Sequence, residues 1–299
     1  MDRRNKFALL PILLVLLSFY SEIPHSFALD VSRPTINADD VHQLGYTGEG
    51  VTVAIIDSGI DFNHPDFQGA IKTSWNIPDN NATLAQDTNG HGTHVAGVVA
   101  GRGVVDSDFL GIAPNAELVI VRITARSQIP QAIQWCIDNK DNYDISIITL
   151  SSWYQLGPCD GLCEACKKAD DAIEKGIVFV KSAGNQWGGD ITCPGSAFNI
   201  ITVGASDDHG TVTTSDDTVA DFSSHGPTED GRPGLDIVAP GVNIIMPALG
   251  GGYASSSGTS FAAPHVAGLA ALILEKTQIG LRNGEGRYKE LFKYRRSRV

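Results

Sequence analysis

The run Val51-Thr52-Val53-Ala54-Ile55-Ile56 is the feature that most restricts the fold of this chain. A continuous apolar run of this length reads as a strand buried on both faces, as parallel sheets require. Further runs at 118–123, 145–150, 177–180 and 200–203, with a shorter one at 236–239, are expected strands. Helical stretches are expected between them at 131–139 and 163–175, after a short helix over 37–42 and a turn-rich entry over 45–50. This alternation predicts an α/β fold, a doubly wound, mostly parallel sheet with helices on both faces. The 299 residues could make one large α/β domain or two small ones, and no internal repeat or low-complexity linker divides them.

Open α/β sheets build their sites beyond the C-terminal ends of their strands. The first strand ends at Asp57-Ser58-Gly59, and the 177–180 strand is followed by Ser182-Ala183-Gly184-Asn185. An Asx turn at Asp57 and a turn-forming Asn185 are the structural alternatives. In Asn89-Gly90-His91-Gly92-Thr93-His94 glycines flank His91 at a helix mouth, so this histidine can approach another loop closely. His94 is expected inside the helix as a structural, hydrogen-bonded residue. The pair could also hold a metal, but no third ligand is spaced to complete that site.

Ser260 lies between a Ser/Gly loop and an apolar run over 266–274 that reads as a buried helix. Its hydroxyl is therefore expected near a helix N-terminus, where free N–H groups and the dipole favour developing negative charge. Pro264 is expected in the first helical turn, where proline is tolerated. Ser260 as a simple helix cap is the bland reading. Asp57, His91 and Ser260 nevertheless supply the three groups that acyl transfer needs. Serine requires a base to become a nucleophile, and that base requires a carboxylate to orient it.

The local sequences sharpen this reading. Asp57-Ser58-Gly59-Ile60-Asp61 with His64-Pro65-Asp66, the stretch from His91 to Gly97, and the stretch from Gly258 to Gly268 resemble the aspartate, histidine and serine motifs of the subtilisin-like serine proteases. Ser182-Ala183-Gly184-Asn185 is similar to their oxyanion segment. Phe222-Ser223-Ser224-His225-Gly226-Pro227 and Asp236-Ile237-Val238-Ala239-Pro240-Gly241 resemble the family as well. The resemblance spans residues 35 to 276. It implies a subtilisin-like fold, Ser260 as nucleophile, His91 as general base and Asp57 as its orienting group. The Asn185 amide and the Ser260 N–H would hold the oxyanion. Ser151, Ser152, Trp153, Ser182, Ala183 and Gly184 would form the substrate groove for protein or peptide substrates.

Four departures accompany the resemblance. Ser151-Ser152-Trp153 stands where the family usually has Ser-Leu-Gly, which puts the usual broad pocket in doubt. The segment over 124–130 is short where the family offers a Gly-rich edge strand, so subsite binding should be weaker or rerouted. Residues 98–109 lack the family's Asn-rich calcium loop. Asp66 matches a family calcium ligand, so the resemblance allows a structural calcium ion, while the chemistry requires no cofactor. Phe261 follows the serine where the family often has Met. The rival readings are a catalytically silent binding protein on the same fold and a metal-dependent hydrolase using His91, His94 and Asp57.

The five cysteines divide into Cys136, on an apolar helix face, and the group Cys159, Cys163, Cys166 and Cys193. One or two disulfides are expected if the chain is exported, with a four-cysteine zinc site as the rival. Residues 1–28 read as a secretory signal peptide: basic Arg3, Arg4 and Lys6, an apolar core over 7–17, and a small-residue cleavage site at Ser26-Phe27-Ala28. An uncleaved anchor is the alternative, although the core is short for a membrane span. A secreted or extracytoplasmic location follows, with no stable membrane insertion after leader removal. The formal net charge of −12 argues against nucleic acid and anionic membranes as partners. The expected peptidase domain is 29–281. The tail over 282–299 reverses to seven Lys/Arg against two Glu, and reads as a surface-binding extension or as a truncated or frameshifted reading frame. Missing closing elements would leave one face of the 268–274 helix exposed.

Overall fold

The computed structural model describes residues 29–155 and 157–282. The expected signal peptide at 1–28 and the tail beyond 282 lie outside the described residues. In chain order the elements are α1 (Leu29–Thr35), α2 (Ala38–Gln43), β1 (Thr52–Asp57), β2 (Ile71–Asn76), α3 (His91–Ala100) and β3 (Glu117–Arg122). Then follow α4 (Ile129–Asp138), α5 (Lys140–Tyr143), β4 (Ile145–Leu150), α6 (Glu164–Glu174), β5 (Val178–Ser182), β6 (Ile201–Asp207) and β7 (Thr218–Val219). β8 (Ile237–Pro240), β9 (Ile244–Pro247), β10 (Tyr253–Ser256) and α7 (Thr259–Arg282) complete the described chain.

Eight strands form one sheet in the order β2-β3-β1-β4-β5-β6-β7, with β8 also pairing to β6. Every pairing is parallel except β6 with the two-residue β7. Along β1 the side chains alternate between two cores. Val53 and Ile55 pack with Val95, Val98 and Val99 of α3 and with Ala263, Val266 and Ala267 of α7. Ala54 and Ile56 pack on the other face with Ile129 and Ile133 of α4 and Ala165 and Ala169 of α6. The expected doubly wound architecture is therefore present. Its apolar strand runs exist because both faces of each central strand are covered.

The differences from expectation lie at the periphery and in α7. β2 and the β9–β10 hairpin are not announced by apolar runs. β2 is an edge strand in which only Ser74 and Asn76 are buried and Lys72 is exposed, with only Ile71 and Trp75 as large apolar side chains. α7 starts at Thr259 and reaches Arg282, longer than the apolar run, so Pro264 is its sixth residue and lies beyond the first turn. A proline there leaves the carbonyl four residues back without its helical donor. That carbonyl is Ser260 O, and it accepts instead from Ser151 Oγ at 2.8 Å. The expected exposed face over 268–274 shrinks to Ile273, 56% exposed, while Ala271, Leu272 and Leu274 are buried. No described helix is long and apolar enough to cross a membrane.

Candidate active site

The chain runs from β1 out to β2 and β3 on one side and then returns to β4 on the other, so β1 lies at a switch in strand order. Such a switch opens a crevice at the strands' C-terminal ends. A cleft of about 470 Å³ lies there, lined by Asp57 and Ser58 after β1, residues 123–126 after β3, Ser151, Ser152 and Trp153 after β4, and Asn89, His91 and Ser260. A second opening of about 530 Å³ surrounds Lys72, Glu117 and Asp144 at the opposite, N-terminal edge of the sheet. Ion pairs from Lys72 to Glu117 at 2.9 Å and to Asp144 at 3.3 Å occupy its charges.

Asp57 is the last residue of β1 and is buried. Its carboxylate oxygens lie 2.8 and 3.0 Å from His91 Nδ1, so that nitrogen carries the proton and donates it. Oδ1 also accepts from Ser58 N at 2.7 Å. His91 opens α3, and Gly90 before it has φ 98°, a conformation that favours glycine. A Cβ on Gly92 would lie 2.2 Å from Gly59 O, so only glycine lets this helix mouth press against the Asp57 loop. Ser58 Oγ accepts from Gly92 N at 2.9 Å and ties the two segments together. Burial pushes the His91 imidazolium towards losing its proton. The charge and hydrogen bond of Asp57, with Asp87 further off, outweigh this, and the net effect raises its pKa.

Asp87, which the sequence reading did not single out, fixes the approach to His91. Its buried carboxylate accepts from Asn89 N at 2.8 Å, Gly90 N at 2.9 Å, Thr93 N at 3.0 Å and Thr93 Oγ1 at 2.7 Å. Burial opposes its charge, and these hydrogen bonds more than compensate, holding the carboxyl below the usual range. His94 sits on α3 as expected. Among the described residues its ring makes no hydrogen bond, and it instead packs edge-on against Phe261 at 6.0 Å. His91 lies 5.8 Å from the same ring.

Ser260 is the second residue of α7, so its hydroxyl stands at the N-terminal end of a 24-residue helix. Here Ser260 Oγ donates to Ser151 O at 3.2 Å; among the described residues no hydrogen bond joins it to His91. Asn185 follows β5. Its Oδ1 accepts from Thr259 N at 3.0 Å and Thr259 Oγ1 at 2.9 Å, which leaves the amide NH₂ as the end facing outward from that clasp. Thr259 is thus a second residue the sequence reading missed.

The expected groove residues separate into two groups. Ser151, Ser152 and Trp153 line the cleft. Ser182, Ala183 and Gly184 lie buried behind it, and their backbone groups bond inward: Ala183 N to Val203 O and Gly184 N to Thr259 Oγ1. Arg126 stacks its guanidinium over the Trp153 ring, 3.6 Å from the centroid, and so closes the cleft from the β3 side. Beside it, Thr124 N and Ala125 N both donate to Gln128 Oε1, at 2.8 and 3.1 Å. The two carboxylate oxygens of Asp66 accept from Val104 N and Tyr253 OH, each at 2.8 Å.

The chain is similar to known proteins over most of its length. The subtilase family matches residues 48–289. Serine protease AprX of Bacillus subtilis (strain 168) is 40% identical over 282 residues, covering 83% of this chain and 62% of that protein. Subtilisin Savinase of Lederbergia lenta is 37% identical over 247 residues, covering 81% of this chain and 82% of its own. The crystal structure of a cold adapted subtilisin-like serine proteinase aligns at a TM-score of 0.62 and 33% identity, covering 77% of each chain. The chain spans 62% and 58% of the lengths of AprX and of an alkaline protease from Alkalihalobacillus alcalophilus.

Proposed function

Because this chain belongs to the subtilase family, we propose that it is a secreted serine endopeptidase that cleaves protein or peptide substrates through Asp57, His91 and Ser260. The observation that carries this reading is the Asp57–His91 hydrogen bond in one cleft with Ser260 at the head of α7. With substrate bound, Ser260 turns its hydroxyl from Ser151 O towards His91 Nε2, which takes the proton as oxygen attacks the scissile carbonyl. Asp57 keeps the proton on Nδ1 and stabilises the imidazolium. The carbonyl oxygen, now an oxyanion, accepts from Asn185 Nδ2 and Ser260 N, the donors this reading assigns to it. The imidazolium then protonates the leaving amine. A water molecule, deprotonated by the same histidine, hydrolyses the acyl-enzyme.

Export rests on the leader-like composition of residues 1–28. In this reading residues 29–281 act as the peptidase domain. A second reading, a catalytically silent binding protein on the same fold, draws support from the Thr124 and Ala125 N–H groups. Both are spent on Gln128 and are not free to pair with an extended substrate. An irreversible serine-directed phosphonate separates the two. A protease is labelled at Ser260 with loss of peptide hydrolysis, whereas absence of labelling on folded chain rejects the triad and leaves the binding protein.

A further inference from the structure

The most concentrated chemistry outside the cleft is a group of four cysteines. Cys159 lies in the loop after β4, Cys163 caps the N-terminus of α6, Cys166 is in the first turn of that helix, and Cys193 lies in the segment before β6. Their four Sγ atoms are all within 4.8 Å of one another, and no other described group of His, Cys, Asp and Glu gathers in this way. Cys159 Sγ is 3.7 Å from Cys166 Sγ, which is 3.6 Å from Cys193 Sγ. A tetrahedron of sulfurs around zinc, with Zn–S arms of about 2.3 Å, has edges of about 3.8 Å. The spacing of three residues between Cys159 and Cys163, and two between Cys163 and Cys166, is that of a structural zinc site.

We propose that Cys159, Cys163, Cys166 and Cys193 form a structural tetrathiolate site for one zinc ion. Two features of the surroundings fit a buried group with a net negative charge. Lys181 on β5 is fully buried, and no carboxylate pairs with it among the described residues. Its ammonium donates to Ser182 O, to Ser182 Oγ at 3.0 Å and to Thr192 Oγ1 at 3.3 Å, beside Cys193. A lone buried ammonium needs a countercharge. Four thiolates around one divalent cation leave two negative charges to supply it. Secondly, the buried Ser196 hydroxyl has no hydrogen-bond partner among the described residues and lies against Cys159, where a thiolate would accept from it. The Cys166 N–H already donates to Cys163 Sγ at 3.4 Å, at a helix end that favours anions.

Cys163 and Cys193 are in bonding contact, and a disulfide between them is the competing description. Their Cα atoms are 7.7 Å apart, beyond the roughly 4.4–6.8 Å that a disulfide spans. A disulfide would also leave Cys159 and Cys166 as buried free thiols at van der Waals distance from it. Zinc uses all four sulfurs, each thiol releasing its proton to solvent as the metal binds. Tyr154 N donates to Cys193 O at 2.8 Å. The ion would therefore anchor the segment that carries Ser151 and Trp153 into the cleft.

The test is metal content of the full chain, purified under reducing conditions without chelator and reconstituted with zinc alone. One tightly held zinc per chain, released in step with mercurial titration of four thiols, is the expected result. Cobalt substitution should give the intense visible bands of a tetrahedral tetrathiolate. A Cys159→Ser, Cys193→Ser double variant should lose the zinc. If that variant does not fold, the mercurial titration of the unaltered chain decides. Failure of the reduced chain to take up one equivalent, a Cys163–Cys193 disulfide in the non-reduced peptide map, or zinc retained by the double variant would overturn the proposal. None of these readouts depends on peptidase activity.

Discussion

At the scale of single residues, the balance on His91 sets the pH behaviour of the cleft. Burial alone would lower the pKa of this ring, and the Asp57 carboxylate reverses the sign. A general base works only when neutral, so the acid limb of kcat/KM should have its midpoint above the ordinary histidine value of about 6.5. In Asp57→Asn burial acts unopposed by the carboxylate charge, so the limb should move to lower pH. Turnover should also fall by about 10⁴, as for the corresponding change in another serine protease. A pH–rate profile of both proteins measures this, and an unmoved midpoint would contradict the assigned pair. His91 was legible because two local sequence motifs carry it and Asp57. Asp87 was not, because four donors converge on it only once the 87–93 loop is folded.

Among the elements, α7 depends on a residue from outside itself. Pro264 removes the donor that Ser260 O would have had within the helix, and Ser151 Oγ replaces it. Ser151→Ala should therefore destabilise the fold by about 1–3 kcal/mol, the cost of an unpaired buried carbonyl. Pro264→Ala restores a backbone N–H, so the double variant should recover part of that loss. Urea unfolding of the four proteins in a double-mutant cycle checks it, and strict additivity would show that the two residues do not share this carbonyl. The loop after β4 gives a second expectation. Trp153 narrows the cleft with Arg126 over its ring. Trp153→Gly should raise kcat/KM most for peptides with a large side chain before the cut, read from a panel graded by side-chain size. A uniform change would place Trp153 outside the pocket that binds this side chain.

Across the whole molecule, α1 is joined to α7 through a buried histidine. His265 Nδ1 donates to Phe261 O at 2.7 Å, so Nε2 accepts from the Ser32 hydroxyl at 2.8 Å and the ring is neutral. Burial pushes its pKa down to about 4. An unfolded histidine binds its proton below about 6.5, so between that value and about 4 the unfolded chain holds more protons than the folded one. This site should therefore contribute stability that is full above about pH 6.5 and lost as pH falls towards 4, by roughly 3 kcal/mol. His265→Asn should flatten that part of the dependence of the urea midpoint on pH. An unchanged slope would mean that other groups cause the acid loss.

What the sequence determined by itself was whatever is written locally. The central strands β1, β3, β4, β5 and β6 appeared as apolar runs because both their faces are buried, and periodicity records burial. The expected helices at 131–139 and 163–175 appeared within two residues of α4 and α6 for the same reason. Asp57, His91, Ser260 and Asn185 stood out because short glycine-flanked motifs surround them. The tertiary structure decided what depends on distant partners. β2 and the β9–β10 hairpin take their pairing from neighbouring chain and carry little apolar pattern of their own. Ser182, Ala183 and Gly184 share a motif with Asn185, yet their burial behind the cleft follows from bonds to Val203 and Thr259. The clasp of Thr259 on Asn185, the stacking of Arg126 on Trp153 and the gathering of four cysteines join residues separated by 74, 27 and up to 34 positions. No local pattern encodes such contacts, because each forms only when separate parts of the chain are brought together by the sheet.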